Sequence, residues 1–282
     1  MPTTAVYPGG GTTYMPGGGS GTHTRGLRTE IQGWSASSTR RLRRFLWSVQ
    51  PDELTGHGYA VTLTMLSTPP DAEALSLVVT ALMKRYARLG LVRLQWVIEW
   101  QGRGTPHLHL AVYMAEELPG GGAPLVDAWL AVAEPYGAGR HAQDVRALEG
   151  GAGWFRYLDK HAGRSLKHYQ RQGMPPGWTK TGRLWGYRGD WPTVDGPMRF
   201  EVDREGWFRL RRMVRAYRVA EARQIKDPRH RVEAVRKARQ MLVRPEQKLS
   251  TVRGTSAWVP EHVQIRFLAL LADQGHGVQQ VD

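Results

Sequence analysis

Residues 92–114 read VRLQWVIEW, QGRGTP, HLHLAVYM: two β-forming runs joined by a short Gly-containing turn. This is the pattern of a β-hairpin. Side chains alternate between the two faces of a strand. His107 and His109 therefore point one way, and Leu108, Leu110 and Val112 point into the opposite layer. A strand that places two imidazoles side by side, over a layer of aliphatics, constrains both what packs below it and what happens above it.

The surrounding chain supplies companion elements. YAVTLTML (59–66) alternates as a strand, and Pro69 and Pro70 end it. DAEALSLVVTALMKRYARLG (71–90) has helical periodicity and closes on Gly90, a C-cap residue. ASSTRRLRRFLWS (36–48) suits a short amphipathic helix, LVDAWLAVAEPYG (125–137) a helix up to Pro135, and HAQDVRAL (141–148) a strand. LPGGGAP (118–124) reads as a loop, and residues 150–170 support a helix after their leading glycines. Residues 174–192 read as a long Gly, Pro and Trp-rich ordered loop anchored by its tryptophans, and 207–242 are helical, arginine-dense and broken at Pro228. No internal repeat is visible. The expected fold class is α+β, a mainly antiparallel sheet flanked by helices. Three regions are expected: a flexible Gly/Pro-rich tail at 1–26, a main domain at 27–200 and a basic helical C-terminal region at 201–282.

The 282 residues are 41% hydrophobic and include no cysteine, which excludes disulfides and thiolate metal sites. No apolar run approaches the roughly 20 residues that span a bilayer, and the N-terminus lacks the order of a signal peptide. A cytoplasmic location is the expectation. Lys and Arg total 39 against 25 Asp and Glu, a formal net charge of +14. Such a field draws polyanions, nucleic acid foremost.

Two neutral imidazoles provide two donors of a metal site. Glu99, across the turn, offers a third if the hairpin register turns it to the same face. Mixed imidazole and carboxylate ligation suits Mn²⁺ or Mg²⁺, with Zn²⁺ open. On their own the two histidines are equally well read as a satisfied polar patch, and Glu99 as a solvated strand residue. In WFRYLDKH (154–161), Tyr157 and Lys160 share a helix face. A phenol, with a pKa of about 10, becomes a competent nucleophile beside cations and a polarised phosphate. A core tyrosine beside a solvated lysine is the plainer alternative.

Taken in order, VTLTM (61–65), EWQGRGTPHLHL (99–110) and YLDKH (157–161) resemble the three motifs of the HUH endonucleases, and within them the rolling-circle replication initiators (Rep) of single-stranded DNA phages and plasmids. GRLWGY (182–187) is similar to a block of phage-type members. The resemblance spans about residues 59–187. It implies a ferredoxin-like sheet, His107, His109 and Glu99 as ligands of Mn²⁺ or Mg²⁺, Tyr157 as nucleophile and Lys160 as an auxiliary cation. His161 stands where two-tyrosine members carry a second tyrosine, so a single-tyrosine enzyme is expected, with Tyr169 as a later candidate. The implied activity is nicking and strand transfer on single-stranded DNA at a replication origin, through a covalent 5′-phosphotyrosine. Phosphate contacts are expected from Arg103, Arg164, Lys167, Arg183, Arg211, Arg212 and Arg215, and base stacking from Trp178, Trp185 or Trp191. No P-loop sequence is present, so unwinding and synthesis would fall to a host helicase and polymerase. Two rivals remain: a metal-dependent hydrolase that uses water, and a DNA-binding protein without catalysis.

Overall fold

The computed structural model describes residues 1–15, 30–148, 151–162, 168–172, 174–243 and 254–281, without the side chains of 151, 152, 160 and 161. The described residues form a mixed α and β structure with two five-stranded antiparallel sheets. The chain divides into two compact units. One joins the N-terminal strands to the chain from Val194 onward, and the other runs up to Thr193.

The chain opens with β1 (Thr3–Val6) and β2 (Gly11–Tyr14), paired antiparallel around a turn in which Tyr7 N–H bonds the Gly10 carbonyl at 2.8 Å. The expectation of a flexible tail over 1–26 therefore fails for residues 3–14. Thr-Thr-Ala-Val and Thr-Thr-Tyr are β-formers, and burial against distant strands outweighs their Gly/Pro-rich setting. Residues 16–26 lie outside the described residues.

The next unit begins with α1 (Ala36–Ser48), whose Ser35 side chain caps Ser38 N–H. Then follow β3 (His57–Thr64), α2 (Ala72–Arg88), β4 (Leu91–Trp100), β5 (Pro106–Met114), α3 (Pro119–Ala133), β6 (Asp144–Ala147), α4 (Gly151–Ala162) and β7 (Trp185–Arg188). The strands lie in the order β6-β3-β5-β4-β7. The expected hairpin is β4–β5. Gly104, at φ 83°, takes the left-handed conformation that closes its turn and donates to the Gln101 carbonyl at 2.8 Å.

Register sorts the two faces of this sheet. Leu63 pairs Leu108, Val61 pairs Leu110 and Ile98 pairs Leu108, giving one aliphatic face. α2 and α3 serve that face: Trp129 donates to the Thr64 carbonyl at 3.0 Å, the Tyr59 hydroxyl accepts from Leu118 N–H at 2.7 Å, and Tyr86 bonds the Leu125 carbonyl at 3.2 Å. The other face carries both histidines and is covered by α1 and α4. Phe45 of α1 stacks on Tyr187, while Phe155 of α4 and Tyr113 of β5 both meet Trp191 edge-on.

Two sequence expectations are corrected here. Of the helix expected over 150–170, α4 is described over Gly151–Ala162, residues 163–167 lie outside the described residues, and the expected end is not helical: His168 is extended and Tyr169 sits on a turn of its own, Tyr169–Arg171. The expected loop at 174–192 contains β7, while its anchoring by tryptophans holds for Trp178 and Trp191, which are buried. Trp178 packs edge-on against Trp100 and donates to the Pro69 carbonyl at 2.9 Å, so it is a core residue and offers no platform for a base.

From Val194 come β8 (Met198–Val202), α5 (Arg204–Arg223), α6 (Pro228–Gln240), β9 (Ser256–Ala257), α7 (Glu261–Asp273) and β10 (Val278–Val281). Their sheet runs β10-β8-β1-β2-β9. The C-terminal region is thus α and β, not helical alone. Its core is Val6, Val202, Trp207, Leu210, Leu268 and Leu271. The expected boundary at 200 falls inside β8, because β8 needs β1 as its partner.

Candidate functional site

In β4–β5, Glu99 lies directly opposite His107, and Val97 opposite His109. On the other side, Thr64 pairs with His107 and Thr62 with His109. Directly opposed residues share a face, so the two imidazoles, Glu99, Thr62 and Thr64 form one polar cluster. The rings of His107 and His109 stand 4.5 Å apart, edge to face.

Each ring is held through Nδ1. Thr62 Oγ1 is 3.4 Å from Nδ1 of His109, and Gln101 Nε2 is 3.2 Å from Nδ1 of His107. Gln101 also bonds the Thr64 hydroxyl at 2.7 Å and accepts from Thr105 at 2.9 Å. Sequence reading missed Gln101. Its signal was its place at the first position of the turn, two residues beyond Glu99.

Glu99 is fully buried. Its Oε1 receives Arg171 Nε at 3.2 Å, and its Oε2 lies 4.0 Å from His109 Nε2. The Arg171 guanidinium rests on the Trp34 ring at 3.7 Å. This buried cation went unnoticed because it sits on a short turn far from Glu99 in sequence. It satisfies the carboxylate that would otherwise be stranded in the interior.

Tyr157 comes to the same place from α4. Phe155, Leu158, Asp159 and Ala162 make the buried stripe of that helix. Tyr157 lies off the stripe, 36% exposed, stacked on Trp154 at 4.7 Å and edge-on to His109 at 5.8 Å. Asp159 fixes the helix: Arg43 of α1 grips its carboxylate at 2.8 and 3.3 Å. Another phenol on the histidine face, Tyr113, is pushed up to about 12 by burial, with Arg93 pulling the other way. Tyr113 is buried, whereas Tyr157 presents an accessible phenol beside the imidazoles.

Two imidazoles and a carboxylate suit a divalent ion in donor type. Among the described residues, however, no three His, Asp or Glu side chains stand in an arrangement that holds one. Neighbouring donors on an ion with bonds of about 2.1 Å lie roughly 3 Å apart. Glu99, at 4.0 Å from His109 and tied to Arg171, must move to join them.

The residues expected to contact DNA are scattered. Arg103 is committed to its own turn, donating to Thr105 Oγ1 and the Met65 carbonyl, both at 2.7 Å. Arg183 and Arg212 are exposed, and Arg215 is half-buried. Arg211 is buried, with its guanidinium 4.8 Å from the Trp207 ring. The expected phosphate contact there is corrected, because its position on α5 falls on the inward stripe with Trp207, Leu210 and Val214. Arg164 and Lys167 lie outside the described residues, as does the side chain of Lys160.

The fold and this cluster define a two-unit protein with an imidazole pair, a buried carboxylate and an exposed phenol on one sheet. Comparison with known proteins supplies the relatives. The chain is 42% identical, over 99% of its own length and 99% of the relative's, to a Xylella fastidiosa (strain 9a5c) protein named "Putative replication protein". It is 40% identical to a protein of the same description from strain Temecula1, covering 92% of this chain and 99% of the relative. It is also 40% identical to the replication-associated protein G2P of Pseudomonas phage Pf3, covering 89% and 90%. The chain belongs to this family of replication proteins. No family model matches it, and no solved structure does. Among the described residues, no helix is long and apolar enough to cross a membrane.

Proposed function

We propose that the chain is a replication initiator of the HUH class, which nicks single-stranded DNA at an origin and starts rolling-circle replication. The observation that carries this reading is an accessible Tyr157 ring lying edge-on to His109. The run β3-α2-β4-β5-α3-β6, with strand order β6-β3-β5-β4, supports a ferredoxin-like nuclease core. The replication-associated names of the relatives support the process.

Tyr157 attacks the scissile phosphorus in line. Its phenolic proton passes to solvent, the P–O3′ bond breaks, and the leaving 3′-oxygen takes up a proton from solvent, so that a 5′-phosphotyrosine and a free 3′-hydroxyl result. A divalent ion, Mn²⁺ or Mg²⁺, held by His107, His109 and Glu99, would draw charge from the phosphate. Gln101 and Thr62 keep the two rings aimed. Arg171 keeps one oxygen of Glu99 engaged, so that the other is turned toward His109. The Arg43–Asp159 pair holds α4, and with it the phenol, over the sheet. Lys160 follows Tyr157 on α4 as the auxiliary cation. Because the phosphotyrosine ester conserves the energy of the broken bond, a later 3′-hydroxyl can reverse the attack and seal a circle. Host helicase and polymerase complete the cycle in the bacterial cytoplasm.

The test is incubation with single-stranded DNA of an origin that the protein replicates, with Mn²⁺, read on a denaturing gel. Wild type yields a slow-migrating covalent species, and Tyr157→Phe binds DNA but yields none. Adducts of unchanged yield from Tyr157→Phe refute the assignment. Cleavage without any adduct points instead to water as nucleophile.

A further inference from the structure

The chain's positive charge is concentrated. Residues 204–240, spanning α5 and α6, hold thirteen Lys and Arg against four Asp and Glu, a net +9 of the whole chain's +14. A solvated helical surface usually intersperses opposite charges at i,i+4. Here the four acids are each taken up by one local partner, Glu205 with Arg209, Glu221 with Arg218, Glu233 with Lys237 and Asp227 with His230, and are too few for the thirteen cations.

Four of the remaining ten cations line one groove. An open groove of ≈ 580 Å³ is lined by Arg223 of α5 and by Arg231, Val232, Val235, Arg236, Arg239 and Gln240 of α6. Among the described residues Arg223, Arg236 and Arg239 are exposed and have no acidic partner. Arg231 donates to the Ile225 carbonyl at 3.4 Å, which keeps its guanidinium at the groove wall. Val232 is 70% exposed in the midst of these cations. Clustered like charges destabilise a fold unless a polyanion neutralises them.

We infer that this groove is a second DNA-binding site, separate from the nicking cluster, that grips the sugar–phosphate backbone of duplex DNA without reading sequence. Guanidinium forks match phosphate oxygens, and the two valines offer apolar contact to sugars. Single strands are held largely by aromatic side chains that stack on bases. Among the described residues, the groove lining contains only Arg, Val and Gln. The inference does not rest on the nuclease reading: a protein that never nicks could still bind duplex here.

The experiment measures fluorescence anisotropy of the full chain on a duplex and on a single strand of equal length, from 50 to 200 mM salt. Arg223→Gln/Arg236→Gln/Arg239→Gln removes three groove charges at exposed helix positions, where Gln is nearly as good a helix former as Arg. Arg204→Gln/Arg209→Gln/Lys237→Gln removes three charges outside the groove. Each phosphate contact contributes about 0.9 to the log–log salt slope on duplex DNA. The groove variant should lose about 2.7 of that slope, so that wild type weakens roughly 40-fold more than the variant across this salt range. The control variant should keep most of the slope, and cleavage of a short single-stranded oligonucleotide should be the same in all three proteins. An unchanged duplex slope in the groove variant, an equal loss in the control, or a larger loss on single strands than on duplex each overturns the proposal.

Discussion

The Glu99–Arg171 pair offers the sharpest test of how the site is built. Both side chains are 0% exposed, and the guanidinium stacks on Trp34. Glu99→Gln keeps the shape and removes the charge, leaving a cation inside the protein without its counter-ion. Removing one partner of a buried pair costs about 3–5 kcal/mol. For a unit of this size each kcal/mol lowers Tm by about 2–4 °C, so a fall of roughly 6–20 °C is expected. Gln still offers an oxygen to Arg171, which puts the expected loss at the lower end. Arg171→Met strands the carboxylate and should cost as much. The double variant Glu99→Gln/Arg171→Met buries no charge and should return to within about 2 kcal/mol of wild type, because the penalty of an unpaired buried ion is gone and only a neutral amide is left without its partner. Urea titration and calorimetry in EDTA measure all four proteins without a metal contribution, and the double-mutant cycle isolates the pairwise energy. Single variants within 1 kcal/mol of wild type, or effects that simply add, would refute the claim that this pair organises the site.

Chelation with EDTA should abolish the covalent adduct, and added Mn²⁺ should restore it; an adduct insensitive to EDTA removes the metal from the mechanism. Asp159→Ala frees Arg43 and loosens α4, so it should cost about 2–3 kcal/mol and lower adduct yield more than DNA affinity. Equal yields per bound DNA would show that the pair does not position Tyr157. Asp203→Ala removes the cap of α5, where the carboxylate accepts from Gly206 N–H at 2.7 Å, and should cost about 1 kcal/mol at pH 7. The Gly206 N–H, with help from Gly277 and His276 and against partial burial, holds this carboxyl below the usual range. Its stabilisation is therefore complete above the ordinary carboxylate pKa and is lost as pH falls through the folded value. The stability gap between wild type and Asp203→Ala should shrink in acid, and a gap that widens there would be the wrong sign.

Much of the central unit was legible because it is local. The alternation of 107–114, the Gly-bearing turn and the helical stripe of 71–90 each announce themselves within a few residues, and β5, its turn and α2 follow them. The polar cluster was legible for the same reason. His107 and His109 share a face by strand period alone, and a tight hairpin leaves few registers in which Glu99 is not beside them.

What the tertiary structure decided concerns residues that are far apart in the chain. β1 is a tail by composition and becomes a central strand only because β8, nearly 200 residues on, pairs with it. Arg211 reads as a surface cation, yet the packing of α5 turns it onto Trp207. Arg171 finds Glu99 across 72 residues, and Arg43 finds Asp159 across 116. Strand period and helix period are short-range properties of the backbone and its hydrogen bonds, so a linear sequence carries them. Burial of a charge and pairing of remote strands depend on which surfaces meet after collapse, and that is settled only when the whole chain has folded.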